Sequence, residues 1–304
     1  MIFDFEKSVN QKVELPNKFG IELYIKREDK IHPHISGNKY RKLKYNLEKA
    51  KQLEFSKLLT FGGAYSNHIA AVAAAGKEFG FDTIGVIRGE ELEGKIESNY
   101  TLKFAQSQGM KFYFTTRSEY RDKESKVFIE DLESRFGKFY LVPEGGTNEL
   151  AVKGCEEILS ENDKEFDYVC CAVGTGGTIS GLINSSKLFQ KILGFPALKE
   201  DFLSDNIAKF VTKDNWDLIT DYHFGGYAKI DVELIDFINN LKKHFNIPLD
   251  PVYTGKLMFG VKDMIEKGCF KPKSKVLVIH TGGLQGISGM NERLKQKKIS
   301  QIDV

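Results

Sequence analysis

The chain has 304 residues, with 44 Lys and Arg against 42 Asp and Glu, a formal charge of +2 and a hydrophobic share of 41%. That length suits two lobes sharing a cleft, and the apolar share is enough for a sizeable core. The even charge balance leaves no electrostatic footprint for nucleic acid or an anionic membrane, and no run nears the ~18 consecutive apolar residues of a membrane span.

The first residues, Met-Ile-Phe-Asp-Phe-Glu-Lys, hold two acids and lack the basic-then-apolar layout of a secretory signal. Residues 36–43 read Ser-Gly-Asn-Lys-Tyr-Arg-Lys-Leu, which puts Lys39 directly after a glycine-containing turn and directly before a helical pattern. A lysine held in that way suits a covalent amine better than a solubilising charge. From residue 56 onward, short apolar runs alternate with helical periodicity. Strands are expected at 57–61, 83–88, 111–115, 139–142, 168–173 and 275–280. Helices are expected at 67–79, 95–108, 123–136, 149–160, 177–189, 232–244, 256–267 and 288–297. Between 196 and 227 the pattern blurs and no element is assigned. Such alternation calls for parallel sheets covered on both faces, with ligands at the carboxyl ends of the strands. Four cysteines, Cys155, Cys170, Cys171 and Cys269, form no Cys-x-x-Cys pair. Cys170 and Cys171 sit together on an apparent buried strand as small hydrophobes, so a reduced, cytoplasmic protein is expected.

Gly174-Thr175-Gly176-Gly177-Thr178 follows a strand and opens a helix. Backbone amides of a glycine loop at a helix start bind anions, and the hydroxyls of Thr175 and Thr178 add donors. The third glycine of a dinucleotide fingerprint would fall at Ile179, and no Gly-Lys-Ser/Thr follows as in a P-loop, so the loop reads as a simple phosphate cup. Three further loops repeat the strand-to-turn logic: 61–68 with Ser66 at the helix start, 279–283 with His280, and 250–256 with Tyr253 and Thr254 ahead of a helix. Helix capping alone accounts for Ser66, and a satisfied core role accounts for His280. His32 and His34 have no acidic or cysteine partner at ligand spacing, so an ordinary loop is expected there and no metal. A phosphate cup, a positioned lysine and four such turns together point to pyridoxal phosphate, which needs a Schiff-base lysine, a phosphate site and donors for a substrate carboxylate.

From Ile25-Lys26-Arg27-Glu28-Asp29 to His280-Thr281-Gly282-Gly283 the chain resembles the D-cysteine desulfhydrase and 1-aminocyclopropane-1-carboxylate (ACC) deaminase family of fold-type II pyridoxal-phosphate enzymes. The resemblance implies an α/β fold of two lobes, each a three-layer sandwich with mostly parallel sheets, like the β subunit of tryptophan synthase. It implies a large domain of residues 1–39 plus 151–304, a smaller domain of 40–150, the active site between them, and a homodimer. Lys39 looks like the lysine that binds the cofactor, Lys42 an added phosphate contact, and Asn67 the partner of the cofactor's phenolic oxygen. Ser66 matches a substrate-site serine, with His68 following as in the desulfhydrase branch. Tyr253 and Tyr227 are similar to two active-site tyrosines.

Two positions separate the branches. Thr254 and Thr281 stand where ACC deaminases carry glutamate and leucine, as in D-cysteine desulfhydrases. A neutral hydroxyl near the ring nitrogen leaves a weaker electron sink than a glutamate, adequate for α-proton loss and expulsion of a good β-leaving group. Tyr65 replaces the family's usual glutamine, and Leu284-Gln285-Gly286-Ile287 replaces its usual Pro-Ala-Leu-Phe. The reading is thus α,β-elimination on a small amino acid, D-cysteine first. The alternatives are ACC deamination, a broader eliminase acting on D-serine or β-chloro-alanine, and a non-catalytic module that binds a phosphate ligand.

Overall fold

The computed structural model describes residues 3–198 and 202–303. Residues 1–2, 199–201 and 304 lie outside the described residues, and with them the outer ends of the expected large domain and part of the unassigned 196–227 stretch.

Ten strands form two sheets. They are β1 (Asn10–Val13), β2 (Glu22–Lys26), β3 (Lys57–Gly62), β4 (Asp82–Arg88), β5 (Lys111–Thr115), β6 (Tyr140–Val142), β7 (Tyr168–Val173), β8 (Lys191–Pro196), β9 (Trp216–Leu218) and β10 (Lys275–Ile279). The first sheet runs β1-β2-β10-β7-β8-β9 and the second β5-β4-β3-β6. Every pairing is parallel except β1 with β2.

The α-helices among the described residues are α1 (Asn38–Gln52), α2 (Asn67–Phe79), α3 (Tyr100–Ser107), α4 (Arg117–Arg121), α5 (Lys126–Phe136), α6 (Glu149–Glu156), α7 (Gly177–Ser185), α8 (Leu203–Ala208), α9 (Val232–Phe245), α10 (Thr254–Lys267) and α11 (Gly286–Gln296).

Both sheets are covered on both faces, as parallel sheets must be. Along β7 the side chains alternate: Cys170 and Ala172 join a core with α9, α10 and α11, while Val169, Cys171 and Val173 join another with α7 and α8. The adjacent cysteines therefore face opposite layers as packed hydrophobes. In the second sheet Leu58 and Val142 pack under α1 and α2, and Leu59, Phe61, Ile84 and Val86 pack against Leu132 of α5.

The sheets are joined through three helices in very close contact. A Cβ on Gly154 of α6 would lie 1.9 Å from the Arg41 carbonyl oxygen of α1, and one on Gly181 of α7 would lie 2.5 Å from the Cys155 Cβ. Small residues at these crossings let α1, which carries Lys39 and Lys42, approach α7, which opens from the glycine loop.

Four expected helices are shorter than their periodicity suggested, the 123–136 helix beginning only at Lys126, and the helices α4 and α8 and four strands were not anticipated. The 95–108 helix begins only at Tyr100, where the Asn99 side chain accepts from Leu102 N. The helix expected from 149 ends at Glu156, and the one expected to reach 189 ends at Ser185. Strands β1, β2, β8 and β9 lie outside every expected strand.

Candidate active site

A cavity of about 470 Å³ opens between the sheets. Its wall draws on the carboxyl ends of strands in both: Gly63 after β3, Arg88 of β4, Glu144 after β6, Gly174 after β7 and Thr281 after β10. This is where ligands enter parallel α/β sheets.

Lys39 lies in the first turn of α1, and the turn ahead of it is fixed from several sides. Gly37 has φ +61° and donates its amide to the Glu28 carbonyl oxygen at 2.9 Å; a Cβ there would lie 2.1 Å from the Thr281 carbonyl oxygen. Only glycine fits such a turn. The Glu28 carboxylate, fully buried, accepts two 2.9 Å bonds from the Arg41 guanidinium of α1. Arg27 forks onto Asp29 with two bonds of 2.8 Å. The Arg27-Glu28-Asp29 run thus fastens β2 to the start of α1. Burial first, and then the Lys42 ammonium, pull the Lys39 amine from 10.5 down to about 7, against Asp250 and Cys155. An amine so placed holds a free lone pair near neutral pH, as a nucleophile requires.

The glycine loop after β7 forms one end of the cavity. Gly176, φ +88°, caps α7 and supplies no side chain, so the first amides of α7 receive no side-chain acceptor. Buried Lys42 reaches across with its ammonium, donating to the Gly145 carbonyl at 2.9 Å, the Thr147 hydroxyl at 3.0 Å and the Thr175 hydroxyl at 3.3 Å. Beside it, the Asn38 amide donates through Nδ2 to the Thr178 hydroxyl at 2.9 Å and leaves its buried Oδ1 without a partner. Turned over, that amide would accept from Thr178 and place its donors at the orphaned Oδ1 position. Uncapped amides, hydroxyls and a lysine make a donor set that fits a phosphate group. Cys155, beneath Thr178, is no nucleophile, since burial pushes its thiol up to about 11.

Opposite the cup, Ser66 caps α2, accepting from His68 N at 3.2 Å and Ile69 N at 3.3 Å. Its hydroxyl proton stays available to the cavity it lines. Asn67 accepts from Gln285 Nε2 at 3.1 Å. His68 is buried beside Thr60, its Nε2 2.8 Å from a hydroxyl that itself donates to Val142 O. Burial, then Lys39 and Lys42, hold that imidazole well below its ordinary value, so it stays neutral. Tyr227 and Tyr253 face each other with ring centroids 6.2 Å apart, and Tyr253 is hydrogen-bonded to Tyr227.

Of the residues singled out from sequence, Lys39, Lys42, Ser66, Asn67, Gly174, Thr175, Gly176, Thr178, Tyr227, Tyr253 and Thr281 all line this one cavity. Gly177 and Thr254 are not on its wall. Gly177 starts α7. The Thr254 hydroxyl donates at 2.7 Å to Asp250 Oδ2 and accepts from Asp250 N at 3.0 Å, inside the cap of α10. His280 is a satisfied core residue, its Nε2 donating to Pro248 O at 2.7 Å. A family model described as pyridoxal-phosphate dependent enzyme matches residues 10–282. The chain belongs to this family.

As a pyridoxal-phosphate dependent enzyme it has relatives along nearly its whole length. It is 30% identical to the bifunctional D-cysteine desulfhydrase/1-aminocyclopropane-1-carboxylate deaminase of Arabidopsis thaliana, over 90% of this chain and 74% of that one. It is 27% identical to a D-cysteine desulfhydrase of Klebsiella pneumoniae, over 92% of each chain. A crystal structure of an ACC deaminase homologue superposes with a TM-score of 0.78 at 30% identity, covering 95% of this chain and 93% of that one. The three-layer, mostly parallel architecture read from the family resemblance is the one found.

Several wall residues escaped the sequence reading. Arg88 ends β4 with its guanidinium 5.7 Å above the Tyr120 ring, and Tyr120 in turn donates to Glu144 at 2.8 Å. Asn38 and Gly145 also stand on the wall. Asn38 lies inside the 36–43 motif but was not singled out from it; Arg88 and Gly145 carry no local motif and are brought to the wall by the ends of β4 and β6.

Proposed function

We propose that this pyridoxal-phosphate dependent enzyme carries out α,β-elimination on a small amino acid, D-cysteine plus water giving pyruvate, sulfide and ammonia. The observation that carries the reading is a buried Lys39 amine drawn to about 7, in one cavity with an uncapped helix start. Bound pyridoxal phosphate supplies the electron sink that takes up the pair left when the α-proton departs. Lys39 would hold the cofactor, and its free amine would take the α-proton on Nζ. Lys42, Gly174, Thr175, Gly176, Gly177 and Thr178 hold the phosphate, and Asn67 orients the ring. Ser66 donates its hydroxyl to the substrate carboxylate, and Tyr253 with Tyr227 serves the β-substituent. Thr254 is neutral where ACC deaminases have glutamate, and Thr281 stands where they have leucine; both match the desulfhydrase branch and support elimination over ring opening. We further read residues 1–39 plus 151–304 and 40–150 as the two domains, and the working form as a cytoplasmic homodimer.

The purified protein should take up pyridoxal phosphate, absorb in the visible, and lose that band in Lys39→Ala. Keto-acid release from a panel of D- and L-amino acids plus ACC then names the substrate: pyruvate from D-cysteine supports elimination, and 2-oxobutanoate from ACC replaces it with deamination. Cofactor binding without turnover of any of them would leave a binding module, and a protein that takes up no cofactor would end the reading.

A further inference from the structure

The turn that brings Tyr227 to the cavity is unusual in its backbone. Phe224, Gly225, Gly226 and Ala228 all have positive φ, at 53°, 85°, 121° and 54°. Two are not glycine, and each left-handed non-glycine residue costs on the order of 1 kcal/mol. Within the turn, Gly226 N donates to His223 O at 3.0 Å and Gly225 N to His223 Nδ1 at 2.8 Å. These short-range bonds fix the turn's shape but not its place over the cavity.

From the body of the protein the turn is met by apolar packing, with the Phe224 ring edge-on to Phe259 of α10 at 5.0 Å between centroids, and by the hydrogen bonds of Lys256. Its side chain is buried, 2% exposed, and its Nζ donates to His223 O at 2.9 Å and Gly226 O at 2.8 Å. No carboxylate lies within ion-pair distance of that ammonium among the described residues. A buried cation without a counter-charge is costly, and the first turn of α10 is the helix end that disfavours cations. Burial accordingly pulls the amine down to about 8, against Asp250 and Asp231. The fold alone offers no return for this arrangement. The turn it grips does, because α10 begins at Thr254, directly after Tyr253, so one helix start carries Tyr253 and grips the turn carrying its partner, Tyr227.

We propose that Lys256 is a positioning residue: its ammonium pins the 223–228 turn through the carbonyls of His223 and Gly226 and so holds the Tyr227 hydroxyl against Tyr253 at the substrate end of the cavity. Lys256 is not on the cavity wall. The functional half of this inference rests on the cavity being an amino-acid site; the structural half does not.

The experiment compares wild type, Lys256→Met, Tyr227→Phe and the double variant, all loaded with pyridoxal phosphate. In Lys256→Met, amide hydrogen exchange at 223–228 should rise about tenfold or more while α7 stays protected and cofactor stoichiometry is unchanged. Its kcat/KM should fall about as far as that of Tyr227→Phe, on the order of tenfold, and the double variant should be no worse than Tyr227→Phe within about twofold, the mark of two residues acting as one. Unchanged exchange at 223–228 overturns the clamp, and losses that multiply in the double variant overturn its action through Tyr227. If wild type turns over no amino acid, the exchange arm still decides the clamp, while the failure belongs to the proposed function. Should Lys256→Met not fold, Lys256→Gln, shorter and neutral, is read in the same way.

Discussion

The turns after β3 and β7 share one build, a strand running into glycine and a helix that starts at the cavity, yet they treat the helix start in opposite ways. At α2, Ser66 takes the amides of His68 and Ile69 onto its own oxygen. At α7, Gly176 takes none. Lys42 lies over the uncapped end, donating to Thr147 and Thr175 at its rim. Orphan amides at a helix start must be met by a side chain, by water or by a ligand. The capped end needs no ligand, which leaves the Ser66 hydroxyl proton for a substrate in the proposed function; the uncapped end is the one that, on the same proposal, a phosphate completes. The absence of a cap is therefore as informative as the presence of glycine.

The largest effect comes from putting a charged side chain where α7 has none. Gly176→Asp would force a Cβ at φ +88° to within 3.0 Å of Ile207 and add a carboxylate beside the proposed phosphate cup. Cofactor affinity should fall at least ~100-fold, about 2.7 kcal/mol, in titrations of the cofactor-free protein followed by visible absorbance. Unchanged affinity would mean that α7 does not hold the phosphate. Ser66→Asp is the counterpart at α2: it keeps a capping oxygen but removes the donor and adds charge. Cofactor affinity should stay within about threefold while KM for the amino acid rises about tenfold, since the helix survives and only the substrate contact is lost. Equal effects on cofactor and substrate would erase the distinction between the two turns.

Much of this site is written in local patterns, because glycine loops after apolar strands are short-range signals. The strand-to-helix turns at 62–68 and 174–178 were both legible, and so was Lys39. What was not legible depends on partners far along the chain. Helix α7 ends at Ser185 because Ser185 and Ser186 hydroxyls turn back to Gly181 and Ile183 carbonyls, and Lys213 takes the carbonyls of Ile183, Asn184 and Ser186. Periodicity alone ran the helix on to 189. Strand β8 then begins almost at once and was masked by that overrun. Strand β1 is a short edge with only Val13 buried, and β9 has three residues, none fully buried, so neither shows an apolar run. Thr254 was picked from its place in the family pattern, while the bonds that tie its hydroxyl to Asp250 come from the geometry of the α10 cap.

The pH response of Lys39 sharpens the contrast between the two sides. Its amine falls from 10.5 to about 7 in the fold. Between those values the unfolded chain holds the proton and the folded chain does not, so this group makes the cofactor-free protein more stable as pH rises from about 7 to 10.5. Below about 7 both states carry the charge and the cost of burying it is fully present. The rate of cofactor uptake should climb about tenfold per pH unit below 7 and level off above it, as read by stopped-flow absorbance. His68, at the start of α2, is held neutral and should add no inflection between pH 5 and 8. A rate still rising toward pH 10 would describe an ordinary surface lysine.

The smallest effect isolates the anion site from everything the cofactor's ring contributes. Inorganic phosphate at twice its dissociation constant should stabilise the cofactor-free protein by about 0.6 kcal/mol, a rise of roughly 1–2 °C in the unfolding midpoint for a chain of this size. Ser66→Ala should lower the starting midpoint, because it removes the α2 cap at about 1 kcal/mol, yet leave the phosphate-induced rise intact. Gly176→Asp should abolish the rise, because the added carboxylate repels the anion and the substituted turn is distorted at φ +88°. If Ser66→Ala loses the rise and Gly176→Asp keeps it, the anion sits at α2, and the assignment of the two turns is reversed.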